Sequence, residues 1–214
     1  TKTPNLSELA AEELVPYLAH ADGWYRDMAQ RLLVERQAVS AIPALEELAN
    51  NSENHLAQFH ALWTLEGLNA TDLNLLFSLL SEGSSLVRAT ALRLLEPRAE
   101  EESEIQQQLA KKLLSYSKTA SIELSLQMAL SASQLAPSSA YPLLTDLLVR
   151  YDTSALIRDA VLSSLQDREY AFSQHLLQQP DWQQTSSARK ILLETLTTTI
   201  VNKGNAAELI GLLS

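Results

Sequence analysis

The four histidines are the residues of this chain whose side chains are best suited to metal binding or proton transfer. His55 and His60 are the closest two, but five positions along a helix rotate a side chain by about 140°, so they do not converge on one metal ion. The chain has no Cys, which excludes a thiolate nucleophile, a zinc knuckle, a disulfide scaffold and covalent haem attachment. No Gly-rich phosphate loop, Gly-x-Ser-x-Gly elbow or His-Glu metal motif is found. The sequence therefore predicts no catalytic residue, no metal site and no bound cofactor.

Trp63 is the strongest candidate for contact with a partner, and His60, Arg31 and Arg93 are weaker ones. On its helix Trp63 lies nearly opposite the apolar stripe. The chain contains an internal repeat, and the residues at the same position in the other repeats are mostly polar: Arg31, Arg93, Met128, Ser163 and Glu194. Tryptophan is enriched at the energetic centres of protein interfaces. The alternative is that the indole packs beneath a neighbouring element, and the sequence leaves both interpretations open.

A row of arginines recurs at intervals of about 30 residues. It could face an anionic partner, or it could form a ladder of hydrogen bonds between structural repeats, and the second interpretation is favoured. The row consists of Arg26 with Asp27, Arg88, and Arg158 with Asp159.

The elements that must position these residues are helices. The 214 residues include 43 Leu and 27 Ala, and these two types favour helices over strands. Hydrophobic residues make up 46% of the chain, which excludes a disordered protein, and no apolar run is long enough to span a membrane. A net charge of −10 opposes binding to nucleic acid, whose phosphates require a basic face.

An internal repeat organises the chain. Each of six anchor residues is followed by an apolar residue three positions later and by Leu seven positions later, on one side of a helix. Another amphipathic helix precedes each of these. In each pair the preceding helix is called the leading helix, and the helix that carries the anchor is called the second helix. The anchors are Arg26, Gln58, Arg88, Glu123, Arg158 and Arg189, and the leucines are Leu33, Leu65, Leu95, Leu130, Leu165 and Leu196.

Recurring helix pairs of this length predict an all-α fold, an α–α superhelix of the HEAT/armadillo-like solenoid type with about six helix pairs. We expect one solenoid domain over residues 1–214. Its approximate units are 6–37, 38–69, 70–98, 99–136, 137–167 and 168–203, with a closing helix at 205–213.

The apolar-Arg step that opens several second helices, as in Tyr25-Arg26 and Ile157-Arg158, resembles the HEAT repeat. Residues 20–27, 29–36 and 60–68 resemble more closely the HEAT-repeat segment of bacterial putative membrane-bound dehydrogenases, in which a propeller dehydrogenase domain precedes the helices and a cytochrome c domain often follows. The chain departs from that family at Ala21-Asp22 and at Gln37-Ala38, where a turn with Gly is common. The resemblance implies that the redox chemistry belongs to the flanking domains and places the chain on the periplasmic or cell-envelope side.

The expected function is a non-catalytic scaffold that binds another protein or the flanking domains of the same polypeptide, as a fragment of such a dehydrogenase. Its mechanism would be geometric, because stacked helix pairs present an extended face. The alternative is an enzyme built on the same fold, such as a DNA-glycosylase-like or phycobilin-lyase-like protein. A glycosylase would need a basic groove, for which Arg26, Arg31 and Arg93 are the candidates.

Overall fold

The structure is a computed structural model that describes residues 5–182 and 186–212. Over these residues the protein is all-helical, with thirteen α-helices, five 3₁₀ helices and no strand. Within the same ranges, no helix combines the length and the apolar character needed to cross a membrane. The predicted fold class is therefore confirmed at the level of an all-α protein.

The chain divides into two compact units, Thr1–Leu95 and Glu96–Ser214, and the boundary falls inside one helix. The first unit contains α1 (Ala11–Leu14), α2 (Gly23–Glu35), α3 (Ile42–Asn51), α4 (His55–Gly67), α5 (Leu73–Glu82) and the start of α6 (Ser85–Glu101). The second unit contains the end of α6, α7 (Ser103–Tyr116), α8 (Ile122–Ser131), α9 (Pro137–Arg150), α10 (Ala155–Ser164), α11 (Glu169–Leu177), α12 (Ser187–Lys203) and α13 (Ala206–Leu212).

Every predicted leading segment and every predicted second segment contains a helix. The first leading segment is divided, because α1 gives way to a 3₁₀ helix, Val15–Ala19, that carries Pro16 in its first turn. Second helices pack side by side within each unit, α2 with α4 and α8 with α10. The closing helix is present as α13, and residue 213 lies outside the described residues, as do residues 183–185 of the last predicted unit.

Each second helix begins with a side chain that caps its free N–H groups. The cap stands four residues before the anchor in four of the six helices, three residues before Arg189 and two residues before Glu123. A capping oxygen satisfies backbone donors that have no partner within the helix. The caps are Asp22, Asn54, Ser84, Ser121, Ser154 and Ser186. These polar residues therefore define where the second helices start.

The predicted register of buried positions is wrong in the fourth repeat, residues 99–136. Leu130 is 38% exposed, and the anchor Glu123 is also exposed. Counting four residues from the cap Ser121 makes Ser125 the anchor, and the positions three and seven residues later, Met128 and Ala132, are then buried. The Leu-at-seven rule failed because leucine fills about a fifth of the chain and matches by chance, whereas the cap marks the start of the helix directly.

Two second helices of the first unit end in the same turn. Gln37 and Asn69 adopt left-handed backbone conformations, with φ of 49° and 54°, and each lies two residues after the end of its helix, α2 or α4. In both turns the next amide donates to a carbonyl five residues earlier, Ala38 to Leu33 and Ala70 to Leu65. This is the point where the sequence lacks the Gly of the resembled family, and Gln37 makes the turn instead.

Candidate functional site

A groove of about 380 Å³ lies between α2 and α4 in the first unit. The half-buried Trp63 forms one wall, and residues of α2 form the other. The lining residues are Asp27, Gln30, Arg31, Val34, Glu35, Trp63 and Gly67.

Helical periodicity places these side chains together. Asp27, Arg31 and Glu35 follow each other at intervals of four residues, and Trp63 and Gly67 do so on α4, so each set forms one stripe of its helix. A different stripe of α2 carries Ala29 and Leu33, which are fully buried in the core. One face of α2 therefore packs into the core, and another face lines the groove.

Gly67, the last residue of α4, sets how closely the two helices approach. A Cβ atom at this position would lie 2.6 Å from Cγ2 of Val34 on α2, a separation that real Cβ atoms essentially never show. Only glycine allows the end of α4 to pack this tightly against α2. The Val34–Gly67 contact thus closes one end of the groove beside Trp63.

The charged groups of the groove are not equivalent. Arg31 Nε donates to Glu35 Oε1 at 2.7 Å, and both side chains are largely exposed. Asp27 is exposed and makes no hydrogen bond or ion pair with another described residue. The groove therefore offers one carboxylate to solvent next to an indole.

Beneath the groove, three side chains tie α2 to α4. Arg26 Nε donates to His60 Nε2 at 3.3 Å, and His60 Nδ1 lies 2.7 Å from Gln30 Oε1. A guanidinium can only donate, so Nε2 of the imidazole must accept and its proton must sit on Nδ1. Burial of the ring, and secondly the charge of Arg26, lower the pKa of His60 below its usual value. His60 is thus a neutral, 7% exposed packing residue rather than a surface contact.

The anchor residues close the turn within their own helix pair. Arg26 Nη1 donates to the carbonyls of His20 and Ala21, at 2.7 and 3.0 Å. Gln58 donates to Ala49 O at 2.9 Å, and Arg88 Nε donates to Leu80 O at 2.8 Å. These bonds run from a second helix to the end of its own leading segment. The bond of Arg26 to His60 does cross to the next pair.

The remaining predicted residues lie elsewhere. Arg158 pairs with its neighbour Asp159 at 3.5 Å in the second unit. Arg93 is exposed on α6 and is not among the residues that line the groove. Of the four predicted contact residues, the structure brings Arg31 and Trp63 together, buries His60 beneath them and leaves Arg93 apart.

Sequence reasoning missed Val34, Glu35 and Gly67, and it assigned Asp27 to the arginine row. No local signal marked Gly67 as a close helix contact, because a glycine near the end of a helix is equally typical of a helix stop.

A larger cavity, about 740 Å³, lies at the start of α12 in the second unit and is lined in part by Trp182 and Arg189. Residues 183–185 lie outside the described residues, and no site is assigned to this cavity. Across the described residues, no three His, Cys, Asp or Glu side chains are grouped so that they could hold a metal ion. Searches against protein-family models, curated proteins and solved structures found no match for the chain.

Proposed function

We propose that the protein is an interaction scaffold of the HEAT-like solenoid type and that the groove between α2 and α4 binds its partner. The observation that carries the proposal is the half-buried indole of Trp63 in a groove between two consecutive second helices. An aromatic side chain that is partly exposed in a concave site is typical of a binding hot spot. An N-cap residue and the same spacing of buried residues recur in successive second helices. This recurrence supports the solenoid architecture.

The partner is a second protein or a neighbouring domain of the same polypeptide. The resemblance to bacterial dehydrogenases favours a flanking domain on the periplasmic side, and the sequence of the complete parent gene tests this part. A reading frame that encodes neither a propeller nor a cytochrome domain would remove the dehydrogenase assignment and leave the scaffold.

No feature of the described residues favours the enzymatic alternative. The basic groove of a DNA-glycosylase-like protein would need Arg26 to face solvent, but this side chain is directed to two carbonyls and to His60. Arg31 is engaged by Glu35. These contacts leave the scaffold as the function to test.

Site-directed cross-linking tests the binding role. Because the chain has no Cys, a single introduced cysteine, R31C, can carry a benzophenone label at the groove. E47C labels an exposed position on α3 and serves as the matched control. We expect R31C to cross-link one protein from the native cell extract that E47C does not, and the purified partner to bind at least tenfold more weakly to W63A. Equal cross-linking at both positions, or unchanged affinity of a folded W63A protein, would contradict the proposal.

A further inference from the structure

The charges of the first unit point to the chemistry of the partner. Residues 1–95 contain twelve Asp and Glu but only six Lys and Arg, so this part of the chain has a formal charge of −6. A field of this sign attracts cationic groups and raises their association rate. Charge alone does not place a binding site, so the individual side chains must be compared.

The arginines next to the groove are already engaged within the protein. Arg26 donates to two carbonyls and to His60, and Arg31 donates to Glu35. Arg36, at the end of α2, donates to Leu9 O and Ser7 O at 2.7 and 2.8 Å. These cations are therefore poorly placed to receive an acidic partner.

Asp27 differs from these arginines, because its carboxylate is exposed and makes no hydrogen bond or ion pair with a described residue. It lines the same groove as Trp63, and tryptophan is the aromatic residue with the strongest attraction for cations. Val34 and the edge of the indole provide apolar surface along which the methylene stem of a long cationic side chain can pack. A groove of about 380 Å³ has room for one such side chain.

We propose that the groove binds a Lys or Arg side chain from a basic segment of the partner, with the charged head at Asp27 and the stem against Trp63 and Val34. This inference rests on the proposed scaffold function and names the chemistry of its ligand. Glu35 contributes less, because its charge is balanced by Arg31.

Nuclear magnetic resonance titration with small probes tests the inference without knowledge of the partner. N-acetyl-arginine methylamide and N-acetyl-lysine methylamide are the cationic probes, and N-acetyl-citrulline methylamide is the neutral analogue of the first. The indole N–H of Trp63 is the reporter, and those of Trp24 and Trp182 are internal references. We expect millimolar concentrations of a cationic probe to shift the Trp63 signal, the citrulline probe to leave it unchanged, and added salt to weaken the binding.

The matched variants are D27N and E47Q, each of which removes one exposed carboxylate of the first unit. We expect D27N to weaken binding of the cationic probe at least fivefold and E47Q to change it less than twofold. Equal effects of the two variants would show attraction to net charge only and would overturn the inference, as would equal binding of the arginine and citrulline probes. If a cross-linked partner still requires Trp63 in that case, the scaffold proposal stands and only the cationic ligand fails.

Discussion

The junction of Arg26, His60 and Gln30 supports a quantitative prediction about stability. Replacing His60 by Phe keeps a ring of similar size but removes the acceptor of Arg26 Nε and the donor of Gln30 Oε1. A hydrogen bond to a charged group contributes about 1.5–3 kcal/mol and a neutral one about 0.5–1.5 kcal/mol. The Arg26 contact is long, so the lower part of the first range applies. We expect H60F to lower the free energy of unfolding by about 2–3 kcal/mol at pH 7.5.

The contribution of His60 to the free energy of unfolding must decrease as the pH falls. Because the native pKa of His60 is lowered, the unfolded chain binds a proton first as the pH falls. The contribution of His60 is therefore complete above about pH 6.5, its unfolded value, and is lost as the pH falls through and below it. His175 in the second unit also has a pKa lowered by burial, so its effect must be separated. Glu12 and Glu123, whose pKa values are lowered by hydrogen bonds, act only in a more acidic range.

Urea unfolding between pH 5 and 7.5 is the assay. In a W182F background the remaining tryptophans, Trp24 and Trp63, belong to the first unit, so fluorescence reports that unit alone. The first unit should lose stability on acidification, and the loss should be smaller in H60F, whereas H175F should leave the first-unit slope unchanged. A first-unit slope that is the same with and without His60, or an H60F protein within 0.5 kcal/mol of the parent at pH 7.5, would refute the reasoning.

Two further predictions concern buried positions. Ser125 and Ser131 are both fully buried on α8, but Ser125 Oγ has no hydrogen-bond partner among the described residues, whereas Ser131 Oγ lies 2.6 Å from Glu96 Oε1. We therefore expect S125A to be neutral or to stabilise by up to about 1 kcal/mol and S131A to destabilise by about 1–3 kcal/mol in thermal unfolding, and the reverse order would contradict the assignment. The substitution G67A should cost about 1–3 kcal/mol in the parent, because the new Cβ meets Val34, but should be neutral or stabilising in a V34A background, where alanine's better helix propensity prevails. A double-mutant cycle in urea measures this coupling, and additive effects would exclude the close contact as the cause.

The helices were predictable because apolar periodicity is a local signal. The helices α3 and α5 begin at Ile42 and Leu73, close to the start of the predicted units 38–69 and 70–98. The register of α8 was not predictable from leucine spacing, since Leu130 satisfied the rule by chance. A search for the cap before each second helix places the anchor to within one residue, because a cap stands directly before the first turn of its helix.

The site was predictable only in part. Trp63 and Arg31 each stand five residues after an anchor and both line the groove, whereas Arg93, at the same repeat position, does not. The hydrogen bond that His60 accepts was not predictable, since its donor Arg26 lies 34 residues earlier in the chain. The Val34–Gly67 approach arises from tertiary packing that no local pattern specifies.

The side-chain bonds from the anchors also bear on how the chain folds. Arg26 reaches back six residues to His20, Arg88 eight residues to Leu80 and Gln58 nine residues to Ala49. Loops this short cost little entropy to close, and contacts between residues near in sequence are associated with rapid folding. Each of these three turns can therefore form early and independently during synthesis, before the next leading helix exists. The nascent chain would then acquire its order one turn at a time, from the N-terminal end.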